Sequence, residues 1–199
     1  GSIRNPSAYC NVYGLRPTAG VVPFAPSPEV FIQQLAIEGP MGRTVKDVAM
    51  LLSTQAGHDP RAPLSVHLDP SQFTASLDRD FKGAKIGWLG NWDGYFPMEP
   101  GVMELCESRL KVFTDLGCEV EPVKPWFEAE TLWQTWLTQR AFLVGNNLRG
   151  YYENPELRPL MKRDAQWEVE QAMKMTPQAL FESAIARTAW VMSLNEIFK

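Results

Sequence analysis

Residues 1–20 read GSIRNPSAYCNVYGLRPTAG, and Ser2 lies between Gly1 and Ile3 at the start of this stretch. Glycine has no Cβ, so a serine that follows it can bring its hydroxyl and two consecutive backbone N–H groups to one point. Acyl transfer uses this arrangement, because a hydroxyl attacks the carbonyl carbon while N–H donors bind the oxyanion. A Gly-Ser pair alone is also common in loops and in residues left by cloning, so it gains meaning only from its neighbours.

Two longer blocks supply that context. The first continues from Ser2 through Cys10 and resumes as Gly-Leu-Arg-Pro-Thr at residues 14–18; the second reads GPMGRTV at residues 39–45, followed by Asp-Val-Ala at 47–49. Together they resemble the amidase signature family. That family has Gly-Gly-Ser-Ile-Arg-x-Pro-Ala/Ser, an aromatic residue and Cys, then Gly-Leu-Lys/Arg-Pro-Thr, and later Gly-Pro-Met-Ala-Arg-Thr-Val-x-Asp-Val-Ala. The resemblance rests on residues 1–49.

The resemblance implies catalytic roles for Gly1 and Ser2. Ser2 would be the nucleophile of a Ser–cis-Ser–Lys triad, and the backbone N–H groups of Gly1 and Ser2 would form the oxyanion hole. A lysine accepts the serine proton only if its surroundings lower its pKa. In the family the lysine and the bridging serine precede the nucleophile, whereas every lysine of this sequence follows Ser2. We therefore expect an internal segment of a longer enzyme, truncated at both ends and inactive alone.

The substrate pocket has two weaker candidates, Trp136 and Phe142. The resemblance implies that segments this far beyond the nucleophile contribute to the acyl pocket. The alternative is structural, because two tryptophans one helical turn apart, here Trp133 and Trp136, are more often part of a core than of a binding surface.

Three functions follow for the whole protein. The first is hydrolysis of a carboxylic amide, or an ester, through an acyl-enzyme on Ser2. The second is that of the A-type component of a glutamyl-tRNA amidotransferase, a glutaminase that releases ammonia from glutamine; GHDP at residues 57–60 suits it, whereas residues 61–64 and the long segment 23–38 do not. The third is a non-catalytic scaffold or interaction module.

Composition narrows the choice of partners. The net charge is −4 with both signs interspersed, and the longest basic cluster is Lys162-Arg163, so a nucleic-acid-binding face is not expected. No run approaches the roughly 18 consecutive apolar residues of a membrane helix. The three cysteines are widely spaced and match no metal pattern, which indicates reduced, buried thiols in a cytoplasmic protein. We expect a small amide substrate, the flanking segments of the parent chain as partners, and no metal or cofactor; association into a homo-oligomer is left open.

The predicted fold class is α/β, a partial amidase-signature fold in which a mixed β-sheet is covered by helices. We expect one partial domain in three stretches: 1–57 as the second half of the signature core, 58–125 as a loop plus a βαβ unit, and 126–199 as a helical segment. Gly, Pro, capping residues and apolar spacing predict the elements. These are a buried strand at 11–15, a helix at 45–56 capped by Thr44, parallel strands at 85–89 and 118–123 around a helix at 100–116, and helices at 128–148, 162–173 and from Thr176 onward.

The predicted buried faces of three helices are a further expectation. They are, for the helix at 45–56, Val45, Val48, Ala49, Leu51 and Leu52; for the helix at 100–116, Val102, Leu105, Cys106, Leu110 and Phe113; and for the last helix, Leu180, Phe181, Ala184, Ile185, Thr188, Val191 and Met192.

Overall fold

The computed structural model describes residues 3–32, 35–124 and 127–199. The chain divides into two compact units, Gly1–Asp78 and Arg79–Lys199. The predictions made for Gly1 and Ser2 lie outside the described residues. The α/β class is confirmed: both units combine helices with a two-stranded sheet, one antiparallel and one parallel.

The first unit begins with a helix and a two-stranded ladder. Helix α1 is Arg4–Cys10, β1 is Tyr13–Gly14 and β2 is Met41–Gly42. The strands are antiparallel, with Tyr13 opposite Gly42. The strand expected at 11–15 is therefore shorter than predicted and is not buried, since the Tyr13 side chain is 58% exposed. Asn11 still belongs to the end of α1, so the strand begins two residues later than predicted.

Helix α2, Val45–Gln55, confirms the helix predicted at 45–56 and its cap at Thr44. The Thr44 hydroxyl accepts from the Asp47 N–H at 3.1 Å, and the Asp47 carboxylate accepts from the Thr44 N–H at 3.0 Å, which completes a capping box. Val48 and Leu52 are buried, but the wider stripe predicted for α2 is wrong, because Val45 is 52% exposed. A short 3₁₀ turn, Pro70–Thr74, packs against α2.

The second unit opens with the predicted βαβ arrangement. Strand β3 is Lys85–Trp88, helix α3 is Val102–Asp115 and strand β4 is Glu119–Pro122; β3 and β4 are parallel, with Lys85 opposite Glu119. The buried face predicted for α3 is wrong, since none of its residues is buried and Leu105 is 57% exposed. Two strands of four residues do not cover a helix of fourteen.

The remaining chain is helical and contains the core of the second unit. Helix α4 is Ala129–Arg140, a π-helical turn spans Ala141–Gly145, and α5 is Asn146–Glu153; after a 3₁₀ turn at Arg158–Leu160, α6 is Arg163–Lys174 and α7 is Pro177–Ile197. Val169 of α6 is fully buried. A Cβ on Gly145 would lie 2.4 Å from the Glu168 carbonyl oxygen, so only glycine permits this close packing of the π turn on α6.

Helix α7 begins where it was predicted, but the face that it buries is not the predicted one. The Thr176 hydroxyl accepts from the Ala179 N–H at 3.1 Å, which confirms the cap. The predicted apolar stripe is exposed, Phe181 by 63% and Met192 by 57%, and the buried residue is Ser183. Ser183 accepts from the Gln139 amide of α4 at 2.7 Å, so this serine lies on the side of α7 that meets α4. Within the described residues, none of the helices combines the length and the apolar character of a membrane span.

Candidate active site

The residues directly after Ser2 are held by several hydrogen bonds. We call α1, β1 and β2 the signature platform. Ser7 of α1 is 6% exposed, and both its N–H (3.0 Å) and its hydroxyl (2.7 Å) donate to the Ile3 carbonyl oxygen. The Val12 N–H then donates to the Ser7 carbonyl at 3.0 Å. These bonds fix the backbone from the residue that follows Ser2 to the start of β1.

Two signature glycines bring the platform together. A Cβ on Gly14 would lie 2.1 Å from the Ser7 hydroxyl oxygen and 2.8 Å from Ile3 Cγ2. A Cβ on Gly39 would lie 2.3 Å from the Leu15 carbonyl oxygen and 2.8 Å from Ile3 Cδ1. Real Cβ atoms do not approach other atoms so closely, so both positions require glycine for its small size. One glycine from each signature block therefore contacts Ile3.

The turn between α1 and β1 depends on Asn11. Its φ is 51°, in the left-handed region, and its N–H bonds to carbonyls of the last turn of α1. The residue type predicts this conformation, because asparagine is among the few residues other than glycine that tolerate the left-handed region. The chain then reaches the second block directly, where the Leu15 N–H donates to the carbonyl oxygen of the fully buried Pro40 at 3.0 Å.

A second serine of this unit lies beside a histidine. The Ser65 hydroxyl oxygen is 3.1 Å from Nδ1 of His58, and the next residue is Asp59. A hydroxyl has one proton, and the nearest acceptor for it is the Ala62 carbonyl at 2.6 Å. Ser65 also accepts from the Asp59 N–H at 3.1 Å and is 8% exposed. These contacts close a loop, and they occupy the hydroxyl that a nucleophile would have to present.

The Asp59 carboxylate is engaged with a cation rather than with this histidine. Arg61 binds it through Nη2 at 2.7 Å and Nε at 3.0 Å. The side-chain and backbone hydrogen bonds from Arg61 lower the pKa of Asp59 from 3.8 to about 2. The His58 ring stacks instead on the ring of His67, with centroids 3.8 Å apart. Asp59 therefore does not orient His58 as the acid of a Ser-His-Asp triad would.

The two pocket candidates lie on α4 and the π turn of the second unit. The Trp136 ring is stacked on Trp133 at 4.9 Å, and the two side chains are 38% and 40% exposed. The expectation that this pair packs in the core is therefore wrong. Phe142 is half-buried, and its carbonyl accepts from the Asn146 side-chain amide at 2.6 Å. The spacing of apolar residues in the sequence did not indicate the π-helical turn that carries Phe142.

An ion pair with a buried carboxylate lies beside Trp136. The Arg140 guanidinium lies 5.4 Å from the Trp136 ring centroid, and its Nε bonds to the Glu168 carboxylate. The Glu168 side chain is 8% exposed, and its Oε2 atom has no hydrogen-bond partner among the described residues. Because a buried carboxylate needs its cation, this pair fixes the guanidinium over the indole.

Metal ligands and disulfides are not part of this arrangement. In residues 3–32, 35–124 and 127–199, no three His, Cys, Asp or Glu side chains converge as a metal site would require. The three cysteines are free thiols. Only Cys118 is buried, so the expectation of burial is wrong for Cys10 and Cys106, which lie at exposed helix positions.

The signature platform lies within a match to a known protein family. The family model described as Amidase matches residues 1–193, and the chain is a member of the amidase family. The match extends well beyond residues 1–49, on which the resemblance in sequence rests.

Individual relatives carry hydrolase and transferase names. The acylamidase of Rhodococcus erythropolis is 35% identical over 135 residues, which are 67% of this chain and 28% of that protein. The A-type component of the glutamyl-tRNA(Gln) amidotransferase of Caldanaerobacter subterraneus subsp. tengcongensis is 39% identical over 120 residues, 60% of this chain and 24% of that protein. The chain thus matches about a quarter of the length of these relatives.

Solved structures agree in fold. A bacterial aryl acylamidase of the amidase signature family superposes with a TM-score of 0.82 at 28% identity, covering 100% of this chain and 42% of that one. A 6-aminohexanoate cyclic dimer hydrolase gives 0.75 at 22% identity, covering 100% and 42% of the two chains, and supports the fold alone.

Proposed function

We propose that the protein containing this sequence hydrolyses a carboxylic amide through an acyl-enzyme on Ser2. The observation that carries the proposal is the contact of both signature blocks with Ile3, the residue that follows Ser2. A nucleophile needs its backbone fixed to within a fraction of an ångström of the reacting carbonyl, and a glycine-dependent platform beside it supplies that rigidity.

The proposed chemistry has two steps. The Ser2 hydroxyl attacks the amide carbonyl while its proton passes through the bridging serine to the lysine, both on residues that precede Gly1 in the family pattern. The N–H groups of Gly1 and Ser2 bind the oxyanion, and the leaving amine takes the proton. Water then hydrolyses the acyl-enzyme. This reaction requires no metal or organic cofactor, and the free thiols support a cytoplasmic location.

We further propose that Trp136 and Phe142 contribute to the acyl pocket. Trp136 offers a flat, partly exposed apolar surface whose orientation is held by Trp133 and Arg140. A rigid aromatic side chain binds an apolar acyl or aryl group at little entropic cost. The solved structure named as an aryl acylamidase supports an amide that carries an aryl group.

A second candidate is the glutaminase component of a glutamyl-tRNA amidotransferase. The 39% identity with a protein of that name favours it. The two candidates share the nucleophile, but they differ in the substrate and in whether a partner protein is needed. A non-catalytic scaffold is the third alternative.

Hydrolysis assays on the complete protein separate the three. An anilide such as 4-nitroacetanilide and free glutamine are offered to the wild type and to Ser2→Ala. We expect anilide turnover that falls at least about 1,000-fold in Ser2→Ala, and ammonia release from glutamine that depends on a partner protein would instead support the second candidate.

Two serine controls accompany these assays. Ser53→Ala removes an exposed hydroxyl that donates within α2 to Met50 and should retain full activity. Ser65→Ala tests the serine beside His58 and should retain turnover per folded molecule. No turnover of any amide by the complete wild-type protein would favour the scaffold.

A further inference from the structure

The loop at residues 90–97 of the second unit has an unusual backbone. Trp92 and Asp93 have φ values of 64° and 53°, between Gly90 at 60° and Gly94 at 87°. Left-handed backbone is unfavourable for side chains such as tryptophan, so surrounding contacts must hold it. The Asn91 side chain provides one of them by accepting from the Gly94 N–H at 3.0 Å.

Aromatic contacts anchor this loop to two helices. The Trp92 ring centroid is 5.4 Å from that of Trp190 on α7, and Trp190 is 5.5 Å from Phe127, just before α4. The Trp92 ring also meets Phe96 edge-on at 5.7 Å. The Tyr95 hydroxyl donates to the carboxylate of Glu130 in the first turn of α4.

A cleft of about 620 Å³ opens between this loop and the start of α4. Its aromatic lining is Trp92, Tyr95 and Phe127, and its charged lining is Asp93, Lys124 and Glu128. Two carboxylates thus face one ammonium group, so the cleft has an excess of negative charge beside aromatic rings. Both features attract cations, the rings through the negative potential of their faces.

The cleft already contains a tethered ammonium group. Nζ of Lys124 binds the Asp93 carboxylate, and the two side chains are 74% and 72% exposed. The hydrogen bond and charge of Asp93, and then the charge of Glu128, raise the pKa of Lys124. An ion pair this exposed contributes little stability, so a cation with additional aromatic contacts can displace it.

From this lining we propose that the cleft binds an organic ammonium ion. The ligand nitrogen takes the place of the Lys124 ammonium beside Asp93 and Glu128, and its carbon substituents lie against Trp92, Tyr95 or Phe127. This inference is independent of the function proposed for Ser2.

Choline and its uncharged isostere 3,3-dimethylbutan-1-ol test the proposal on the complete protein. Affinity is measured by tryptophan fluorescence and by amide shifts at Gly94. We expect choline to bind about 3- to 30-fold more tightly than the alcohol, the range that cation–π attraction and one nearby carboxylate provide. Equal binding of the two, no binding of choline, or shifts confined to other parts of the protein would overturn it.

Two substitutions should change the affinity for choline in opposite directions. Lys124→Met frees Asp93 and should tighten choline binding about 3- to 10-fold, whereas Asp93→Asn should weaken it by a similar factor. Both residues are exposed, so neither variant endangers folding. Trp92→Leu removes one of the three aromatic rings and should reduce the preference for the cation.

Matched controls lie on α6. Lys174→Met and Trp167→Leu change the same residue types away from this cleft and should leave choline binding unaltered. A Lys124→Met variant that binds choline no better than Lys174→Met would refute the displacement of Lys124.

Discussion

Replacing Gly14 with alanine tests the signature platform most sharply. The added methyl carbon would lie 2.1 Å from the Ser7 hydroxyl oxygen, 3.0 Å from Ser7 Cβ and 2.8 Å from Ile3 Cγ2. Ser7 is buried, so its side chain cannot rotate away without losing the hydrogen bond to Ile3. Overpacking costs about 1–3 kcal/mol and a lost buried hydrogen bond about 1 kcal/mol, so we expect a destabilisation of about 2–4 kcal/mol.

Hydrogen exchange at the Ser7 and Val12 amides measures this loss locally. Tryptophan fluorescence would report on the second unit, because all tryptophans of the sequence lie beyond residue 78. Gly150→Ala is the matched control. Its Cβ would meet nothing within 4 Å and it lies inside α5, so alanine should stabilise the helix by about 0.5–1 kcal/mol.

A double-mutant cycle identifies the clash. In a Ser7→Ala background the 2.1 Å contact cannot form, so Gly14→Ala should cost at least about 1 kcal/mol less than in the wild type. Exchange rates in Gly14→Ala that match those of the wild type, or equal costs in both backgrounds, would refute the close packing of Gly14 against Ser7.

Three further predictions concern local interactions. Thr44→Ala removes the capping box and should destabilise α2 by about 1 kcal/mol, measured by urea unfolding. Asp59 should titrate near pH 2 by NMR, and Arg61→Gln should return the pKa towards 3.8; because folding lowers this pKa, the contribution of Asp59 to stability is present above about pH 4 and is lost as the pH falls towards 2. Arg140→Met leaves the buried Glu168 carboxylate without its cation and should cost about 1–3 kcal/mol.

The Thr44 and Arg140 variants each have a control of the same residue type. Thr54→Ala, in the same helix but away from the cap, should change stability by less than about 0.5 kcal/mol. Arg149→Met breaks an exposed i,i+4 pair and should cost about 0.3–0.5 kcal/mol. A loss in Arg140→Met no larger than in Arg149→Met, or a cap variant no weaker than Thr54→Ala, would contradict the corresponding prediction. A measured pKa of Asp59 near 3.8 in the wild type would contradict the effect of the ion pair with Arg61.

Local hydrogen-bond chemistry was readable from the sequence. Thr44 and Thr176 cap helices because their hydroxyls reach N–H groups three residues ahead, and this depends on neighbours in sequence alone. The parallel pairing of β3 with β4 was also predicted, because a strand, a helix and a second strand in this order form a βαβ unit.

Burial was not readable in the same way. The apolar spacing in α7 places Phe181 and Met192 on one face, but it does not show which face packs, and here the side that carries Ser183 meets α4. The core position predicted for the stacked Trp133–Trp136 pair is wrong for the same reason. Of the candidate site, the sequence indicated the glycines of the platform, whereas the π turn and its support by Glu168 arise from tertiary packing.

Covalent labelling with a fluorophosphonate probe tests the central claim most directly. The complete protein is treated with the probe and digested, and the modified peptide is located by mass spectrometry. We predict one stoichiometric adduct on Ser2, absent from Ser2→Ala and unchanged in Ser65→Ala. An adduct on another residue, or a protein that hydrolyses amides while Ser2 stays unmodified, would contradict the assignment of the nucleophile.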